Sequence, residues 1–230
     1  MPLRPIYYDT ETTGVRSEKD RIIEIAAYDP IRDATFVKLV NPECPIPAES
    51  TAITSITDSM VADAPTFGVV GLEFMEFCGE DVILIAHNND RFDKHFLAAE
   101  AARANLIFPA WKQFDTLKWA RKYRPDLPSH ALQALREIYG FESNQAHRAL
   151  DDVITLYRIF SVMFDDIPIE TAFSLLYETQ DINRMPFGKY QGRALSEVPP
   201  NYLDWLKKNG ALDKIENKDL KEALAKLNLI

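Results

Sequence analysis

Early in the chain the apolar positions fall in short runs of strand length. Ile6-Tyr7-Tyr8 lies within Arg4–Asp9, and similar runs cover Ile22–Tyr28 and Ala34–Val40. Turn signals close all three: Glu11-Thr12-Thr13-Gly14 after the first, Asp29-Pro30 and Asn41-Pro42 after the others. Strands joined by such short connections predict antiparallel pairing at one side of a sheet. From Pro65 to Cys78 the period becomes helical, with Phe67, Val70, Gly71, Phe74 and Phe77 at spacings of three and four. Val82-Ile83-Leu84-Ile85, within Asp81–Ala86, is a continuous apolar run that fits a strand covered on both faces. Helices are expected over Phe92–Ala104, Thr116–Tyr123, Ser129–Tyr139 and Ala149–Phe164, with Asp115 and Ser129 as N-caps of the middle pair.

The texture changes after residue 165. A connecting segment, residues 166–184, includes a helical pattern from Ile169 to Glu178. Residues 185–230 begin with the Gly-rich aromatic turn Met185-Pro186-Phe187-Gly188-Lys189-Tyr190, and Pro199-Pro200 then precedes a helix start. The organisation expected is one α/β domain over 1–165, a linker, and a small, mostly helical C-terminal module.

The length of 230 residues suits that division without covalent staples. Cys44 and Cys78 stand far apart with no second ligand pair nearby, so reduced thiols are expected. No stretch approaches the roughly 18 apolar residues of a membrane span, and a cytoplasmic protein with no membrane partner is the expectation. The net charge of −9 argues against broad, sequence-independent phosphate binding. Residues 1–165 hold 17 basic and 25 acidic side chains. If some of those acids ligate cations, the local charge is cancelled where a phosphate would sit.

Asp9 and Glu11 stand two apart at the end of the first strand run, so both point to one face of an extended chain. Carboxylates that close repel each other unless a cation lies between them. An isolated Asp-x-Glu is more often a pair of solvated loop acids, but this one follows directly on an apolar strand. Glu24 lies inside Ile22-Ile23-Glu24-Ile25, where an acid is costly without a partner, and is expected to serve the site indirectly. His87-Asn88-Asn89-Asp90-Arg91-Phe92-Asp93 follows the second buried strand, and strand ends are where α/β folds place their sites. Alone, Asp93 is equally a helix N-terminal charge. His147 titrates near neutrality and can take a proton from water. Asp151 and Asp152 follow it by four and five positions, and spacing alone leaves both open.

Taken together, Asp9-x-Glu11, the run from His87-Asn88 to Asp93, and His147 with Asp152 five later resemble the DEDDh (DnaQ-like) 3′→5′ exonuclease family over residues 4–163. Within that family the chain looks most like bacterial exonuclease X. The resemblance implies a mixed five-stranded ribonuclease H-like sheet flanked by helices. It also implies two divalent cations, Mg²⁺ or Mn²⁺, and a nucleic acid with a free 3′ end as substrate. Asp9 would bridge the ions, Glu11 and Asp152 would bind the first, Asp93 the second, and His147 would be the general base. Thr12 and Thr13 would lie beside the terminal nucleotide, with His87 and Asn88 supporting the substrate side. Two such ions stabilise the attacking and leaving oxygens of an in-line displacement, and oxygen ligands suit Mg²⁺ or Mn²⁺. Relatives are often dimers, so a homodimer is the expectation by analogy. The chain departs from the family at Thr54-Ser55-Ile56-Thr57, where relatives commonly read His-Gly-Ile-Thr. If that loop grips the substrate, end specificity would differ.

Residues 185–230 resemble a small domain described as quorum-sensing-regulated virulence-factor-like, on the turn 185–190, Gly192, Leu195, Pro199 and Tyr202-Leu203-x-Trp205. Arg184, Lys189, Arg193, Lys207 and Lys208 interleave there with Phe187, Tyr190 and Trp205. That mixture suits stacking on single strands; the alternative is an aromatic minicore with a solvated basic rim. Lys118, Arg121, Lys122 and Arg124 form a second basic run, of the kind that is usually a solvated helix face. Competing functional readings are an RNA exonuclease with the same site, a catalytically silent binding module, and an aspartate-based phosphatase. The last needs an Asp where Glu11 stands.

Overall fold

Strand alternation determines which side chains of the first strand meet which layer. The computed structural model describes residues 3–142, 149–177, 182–214 and 217–230. β1 (Arg4–Thr12) pairs antiparallel with β2 (Ile22–Asp29), which pairs antiparallel with β3 (Ala34–Leu39). On its other edge β1 runs parallel to β4 (Val82–Ala86), and β4 runs parallel to β5 (Lys112–Asp115). The sheet is therefore five-stranded and mixed, in the order β3-β2-β1-β4-β5. β4 is buried at every position, as its uninterrupted apolar run requires.

Ile6 and Tyr8 point into a core shared with α3 (Phe67–Cys78) and α4 (Asp93–Arg103). Phe74 is the hub of that layer, its ring within 5.7–6.3 Å of the rings of Phe36, Trp111 and Tyr8. Tyr7 points to the opposite face, where the ring of Tyr157 of α7 (Ala149–Phe164) packs edge-on with its centroid 5.3 Å from that of Tyr7 and 5.0 Å from that of Tyr28. Residues 9 and 11 share the α7 side with Tyr7; residue 10 shares the α3/α4 side with Tyr8. That assignment decides the chemistry of the strand's end.

Several elements carry no periodic signal. β5 has only four residues, of which Lys112 is exposed and Gln113 half-buried, so the expected fifth strand could not be located by pattern. α1 (Ala48–Thr54) and α2 (Asp58–Val61) each bury a single side chain, Thr54 and Val61. α5 (Thr116–Tyr123) starts at its expected cap, the Asp115 carboxylate accepting the N–H groups of Leu117 and Lys118 at 2.9 and 3.1 Å. Ser129 does not cap its helix. α6 (Leu132–Ile138) starts later, after Ala131, and Ser129 Oγ instead accepts the Ala131 N–H at 3.4 Å, a local turn bond that competes with helix. A buried ion cluster adds a tie not visible in the pattern. Glu100 accepts Arg21 Nε at 2.7 Å, Arg103 Nη1 at 3.1 Å and the Ile22 N–H at 3.2 Å.

The chain falls into two compact units, Met1–Leu176 and Tyr177–Ile230. α8 (Ile169–Tyr177) occupies the stretch read as a linker, and within the first unit its Glu170 accepts the Leu3 N–H at 2.6 Å. The second unit has its own core of Met185, Leu195, Val198, Leu203, Leu206, Leu212, Leu220 and Leu224. Its described elements include α9 (Pro200–Lys208), α10 (Lys218–Lys226) and the 3₁₀ turns Leu195–Glu197 and Ala211–Asp213. Both cysteines are free thiols, and no helix of the described residues is long and apolar enough to cross a membrane.

Removing the aromatic hub should test this packing without touching the carboxylates. Phe74→Ala is expected to cost about 3–5 kcal/mol in urea unfolding, while divalent-ion binding by the folded fraction persists. A loss below about 1 kcal/mol would show that the α3 layer closes around the gap.

Candidate active site

Three carboxylates converge where β1 ends beneath the start of α7. Oxygens of Asp9, Glu11 and Asp152 lie within 4.8 Å of one another. Asp9 and Glu11 share the α7 face by alternation, and Asp152 comes down from the first turn of α7. Of the two acids that spacing left open, it is Asp152 that joins the cluster. Gln133 Nε2 donates to Asp152 Oδ1 at 2.8 Å, fixing the carboxylate from α6.

Asp93 approaches from the opposite layer. It is the first residue of α4, 1% exposed, and its Oδ1 accepts both the Thr10 N–H (3.2 Å) and the Thr10 hydroxyl (2.8 Å). Asp93 thus grips the strand between Asp9 and Glu11 without being one of the three converging groups. Burial raises its pKa to about 7 against the pull of the Thr10 bonds. Burial, then the charges of Asp93, Glu11, Asp152 and Glu24, holds the Asp9 carboxyl well above the usual carboxylate range. Such a cluster carries more negative charge than a desolvated site tolerates, and oxygen-only donors fit a hard divalent cation.

Glu24 has a specific task. It sits opposite Glu11 in the β1–β2 register, is 1% exposed, and its Oε2 accepts the Ala149 N–H at 3.1 Å. The buried acid expected to serve indirectly anchors the first residue of the helix that carries Asp152. His147, the expected general base, precedes Ala149 by two positions and lies outside the described residues.

The loop after β4 is held by two residues that the sequence did not single out for that role. Asn89, fully buried, accepts the Tyr8 hydroxyl at 2.5 Å and the Lys94 N–H at 3.1 Å, and donates to Gln113 at 2.9 Å. Asp115, besides capping α5, accepts the N–H groups of Asn88 (3.2 Å) and Asp90 (3.0 Å). Asn88 itself takes the left-handed conformation, φ 67°. His87 is half-buried, with Nδ1 3.0 Å from Thr116 Oγ1 and Nε2 2.9 Å from the His130 carbonyl. Burial lowers its pKa to about 4, so it stays neutral and both ring nitrogens are spent on the scaffold. Among the described residues, the His95 and His130 rings bond the backbone carbonyls of Asp90 and Arg124.

Beside Glu11 opens a cleft of about 630 Å³. Thr12 and Thr13 line it, yet their hydroxyls face inward, Thr12 donating to the Gly14 carbonyl and Thr13 accepting the Arg21 N–H. The opposite wall is α1, pinned by the Ser50 hydroxyl on the Thr13 carbonyl at 2.7 Å, and it presents Ile53, 58% exposed. Val15 and Phe92 complete an apolar rim. Of the departing tetrapeptide, Thr54 touches the cleft, whereas Ile56 is buried against Ile23, Ile46 and Val61. In the basic run, Lys118 pairs with Asp90, Lys122 with the Leu175 carbonyl and Arg124 with Asp126.

The family model for exonucleases matches residues 6–160, the sheet but for the first two residues of β1, and all but the last residues of α7. The chain belongs to the exonuclease family. A DNA polymerase III subunit epsilon of Treponema pallidum is 37% identical over 68% of this chain and 74% of its own length. A bifunctional exonuclease/endonuclease protein of Mycobacterium tuberculosis is 39% identical, and a PolC-type DNA polymerase III of Caldanaerobacter subterraneus is 33% identical. The exonuclease chain spans 24% and 13% of those two longer proteins and matches them over 64% and 79% of itself. Escherichia coli exonuclease I, solved with single-stranded DNA, superposes with a TM-score of 0.66 over 76% of this chain and 43% of its own, at 20% identity. Exonuclease X, solved with 5′-overhanging duplex DNA, is 25% identical and gives 0.54 over 71% of this chain and 92% of its own. Residues 176–214 match a second family, described as a quorum-sensing-regulated virulence factor.

The electrostatics of the cluster have a signed consequence. In the unfolded chain Asp9 and Asp93 lose their protons near 3.8; folded, Asp93 holds its proton to about 7 and Asp9 is also raised. Between those values the folded state binds more protons, so the stability of the metal-free protein falls as pH rises through that window. The Tm without divalent ions should be lower at about pH 8 than at about pH 5.5, with a shallower dependence in Asp9→Asn. Added Mn²⁺ should restore the wild-type Tm at the higher pH and do little for Asp9→Asn. A wild type and variant with the same slope would refute the assignment.

Proposed function

We propose that this exonuclease removes nucleotides from the 3′ end of DNA, preferring single-stranded ends, and releases 5′-mononucleotides. The observation that carries the reading is the convergence of Asp9, Glu11 and Asp152 at the mouth of a cleft with an apolar rim. In this reading Asp9, Glu11 and Asp152 would hold one divalent cation, Mg²⁺ or Mn²⁺, and Asp93 would help Asp9 hold a second. When bound, the cations stabilise charge on the attacking and leaving oxygens of the phosphodiester.

The remaining roles belong to the chain itself. His147 takes the proton of the attacking water; its place in the family pattern supports this, and Glu24 fixes the helix that begins two residues later. Gln133 orients Asp152, and Thr10 holds Asp93 against β1. Ile53, Phe92 and Val15 offer apolar faces to the terminal base, with Thr12 and Thr13 forming the floor. The chemistry is confined to residues 1–165, and the small module from residue 185 is an addition to it. The DNA polymerase III names of the relatives, and the DNA held in the exonuclease I and exonuclease X structures, support DNA as the substrate.

The purified chain, given 5′-labelled single-stranded DNA or RNA and Mn²⁺, should produce a ladder that shortens from the 3′ end of the DNA. Asp9→Ala and His147→Ala should each reduce the rate at least 100-fold, and Asp152→Asn should do the same while Asp151→Asn stays within about threefold. Efficient shortening of RNA but not DNA would replace the substrate; equal losses in the Asp151 and Asp152 variants would undo the ligand set.

A further inference from the structure

The aromatic residues of the second unit do not make its core. That core is aliphatic with one methionine, and Tyr190 and Tyr202 only lean against it. Trp205 lies outside it, 54% exposed, although Trp111 and Trp119 are 7% and 2% exposed. The three aromatics form a row. Tyr190 meets Tyr202 edge-on at 4.9 Å, and Tyr202 stacks on Trp205 at 5.7 Å with 17° between the planes.

Cations flank the row. Lys189 Nζ and Arg193 Cζ lie 5.5 and 5.7 Å from the Tyr190 ring centroid. Lys208 follows Trp205 by three positions on α9, on the same helix face. Among the described residues none of these three cations forms a salt bridge with a carboxylate. The turn that presents Lys189 is built to press on the row. Gly188 has φ +77°, a Cβ there would collide with the Tyr202 hydroxyl, and that hydroxyl accepts the Lys189 N–H at 3.3 Å. The charge is also partitioned: residues 177–230 hold nine Lys or Arg and eight Asp or Glu, whereas residues 1–176 hold 17 and 27.

We propose that the Tyr190–Tyr202–Trp205 row, with Lys189, Arg193 and Lys208, is a second nucleic-acid site that binds single-stranded DNA. An exposed π-face accepts any base, and flanking cations meet the phosphates on either side; this combination yields sequence-tolerant binding. The commitment to DNA rests on the exonuclease reading above. An acidic peptide would use the cations but leave the indole face idle, so indole stacking separates the two ligands.

The test uses the full-length protein in EDTA with a fluorescein-labelled 15-nucleotide single-stranded DNA. Titration should quench the tryptophan emission, a signal that comes from the exposed Trp205. Trp205→Ala should weaken binding about tenfold by anisotropy. Trp205→Phe should remove the quenching yet keep affinity within about threefold. Lys189→Ala with Arg193→Ala should lower the slope of log affinity against log salt by about one to two. Unchanged affinity in Trp205→Ala together with unquenched wild-type emission would overturn the site, and binding of RNA in place of DNA would overturn its ligand. Wild-type hydrolysis of a DNA dinucleotide with Mn²⁺, measured separately, reports on the exonuclease reading alone.

Discussion

The constraint on which the structure turns is the gathering of like charge where β1 ends. Asp9 and Glu11 are forced to one face by strand pleating, Asp152 is brought to them by α7, and Asp93 presses from beneath. Repulsion and desolvation together make this arrangement unfavourable without a cation. A fold that keeps it must hold each carboxylate by other means. The raised pKa values of Asp9 and Asp93 express the same conflict.

Those other means are buried hydrogen bonds that connect the layers of the sheet. Thr10 ties Asp93 to the strand from the α4 side, and Gln133 holds Asp152 from α6. Glu24 spans from β2 to the first residue of α7. Asp115 and Asn89 secure the loop between β4 and α4 from β5 and β1. Each supporting group is polar and all but the half-buried Gln133 are buried, so each needs its partner in place.

The charge of the whole chain makes sense on the same terms. The net −9 looked unfavourable for a nucleic-acid partner, but the excess lies in the first unit, which carries the carboxylate cluster. An enzyme of chain ends needs few phosphate contacts there, and the apolar rim of Ile53, Val15 and Phe92 suits a base better than a phosphate. The basic residues of α5, which read as a substrate flank or a solvated face, are largely tied to Asp90, Asp126 and the Leu175 carbonyl.

The sequence alone determined the strands β1 to β4, the long helices and the candidate carboxylates, because each rests on local spacing. Period two sends Asp9 and Glu11 the same way, and uninterrupted apolar runs mark buried strands. Spacing could not choose between Asp151 and Asp152, which only the family resemblance separated, since the answer depends on how α7 is rotated over β1, which Tyr157 packing and the Glu24 anchor decide. Nor could it find β5, α1 or the second roles of Asn89 and Asp115. Those elements are short or polar, and their partners lie 24 to 81 residues away in the chain. The same holds for Trp205, an aromatic that reads equally as core or surface until the aliphatic minicore closes without it. Local pattern records what a residue needs; only the tertiary structure decides which neighbour supplies it.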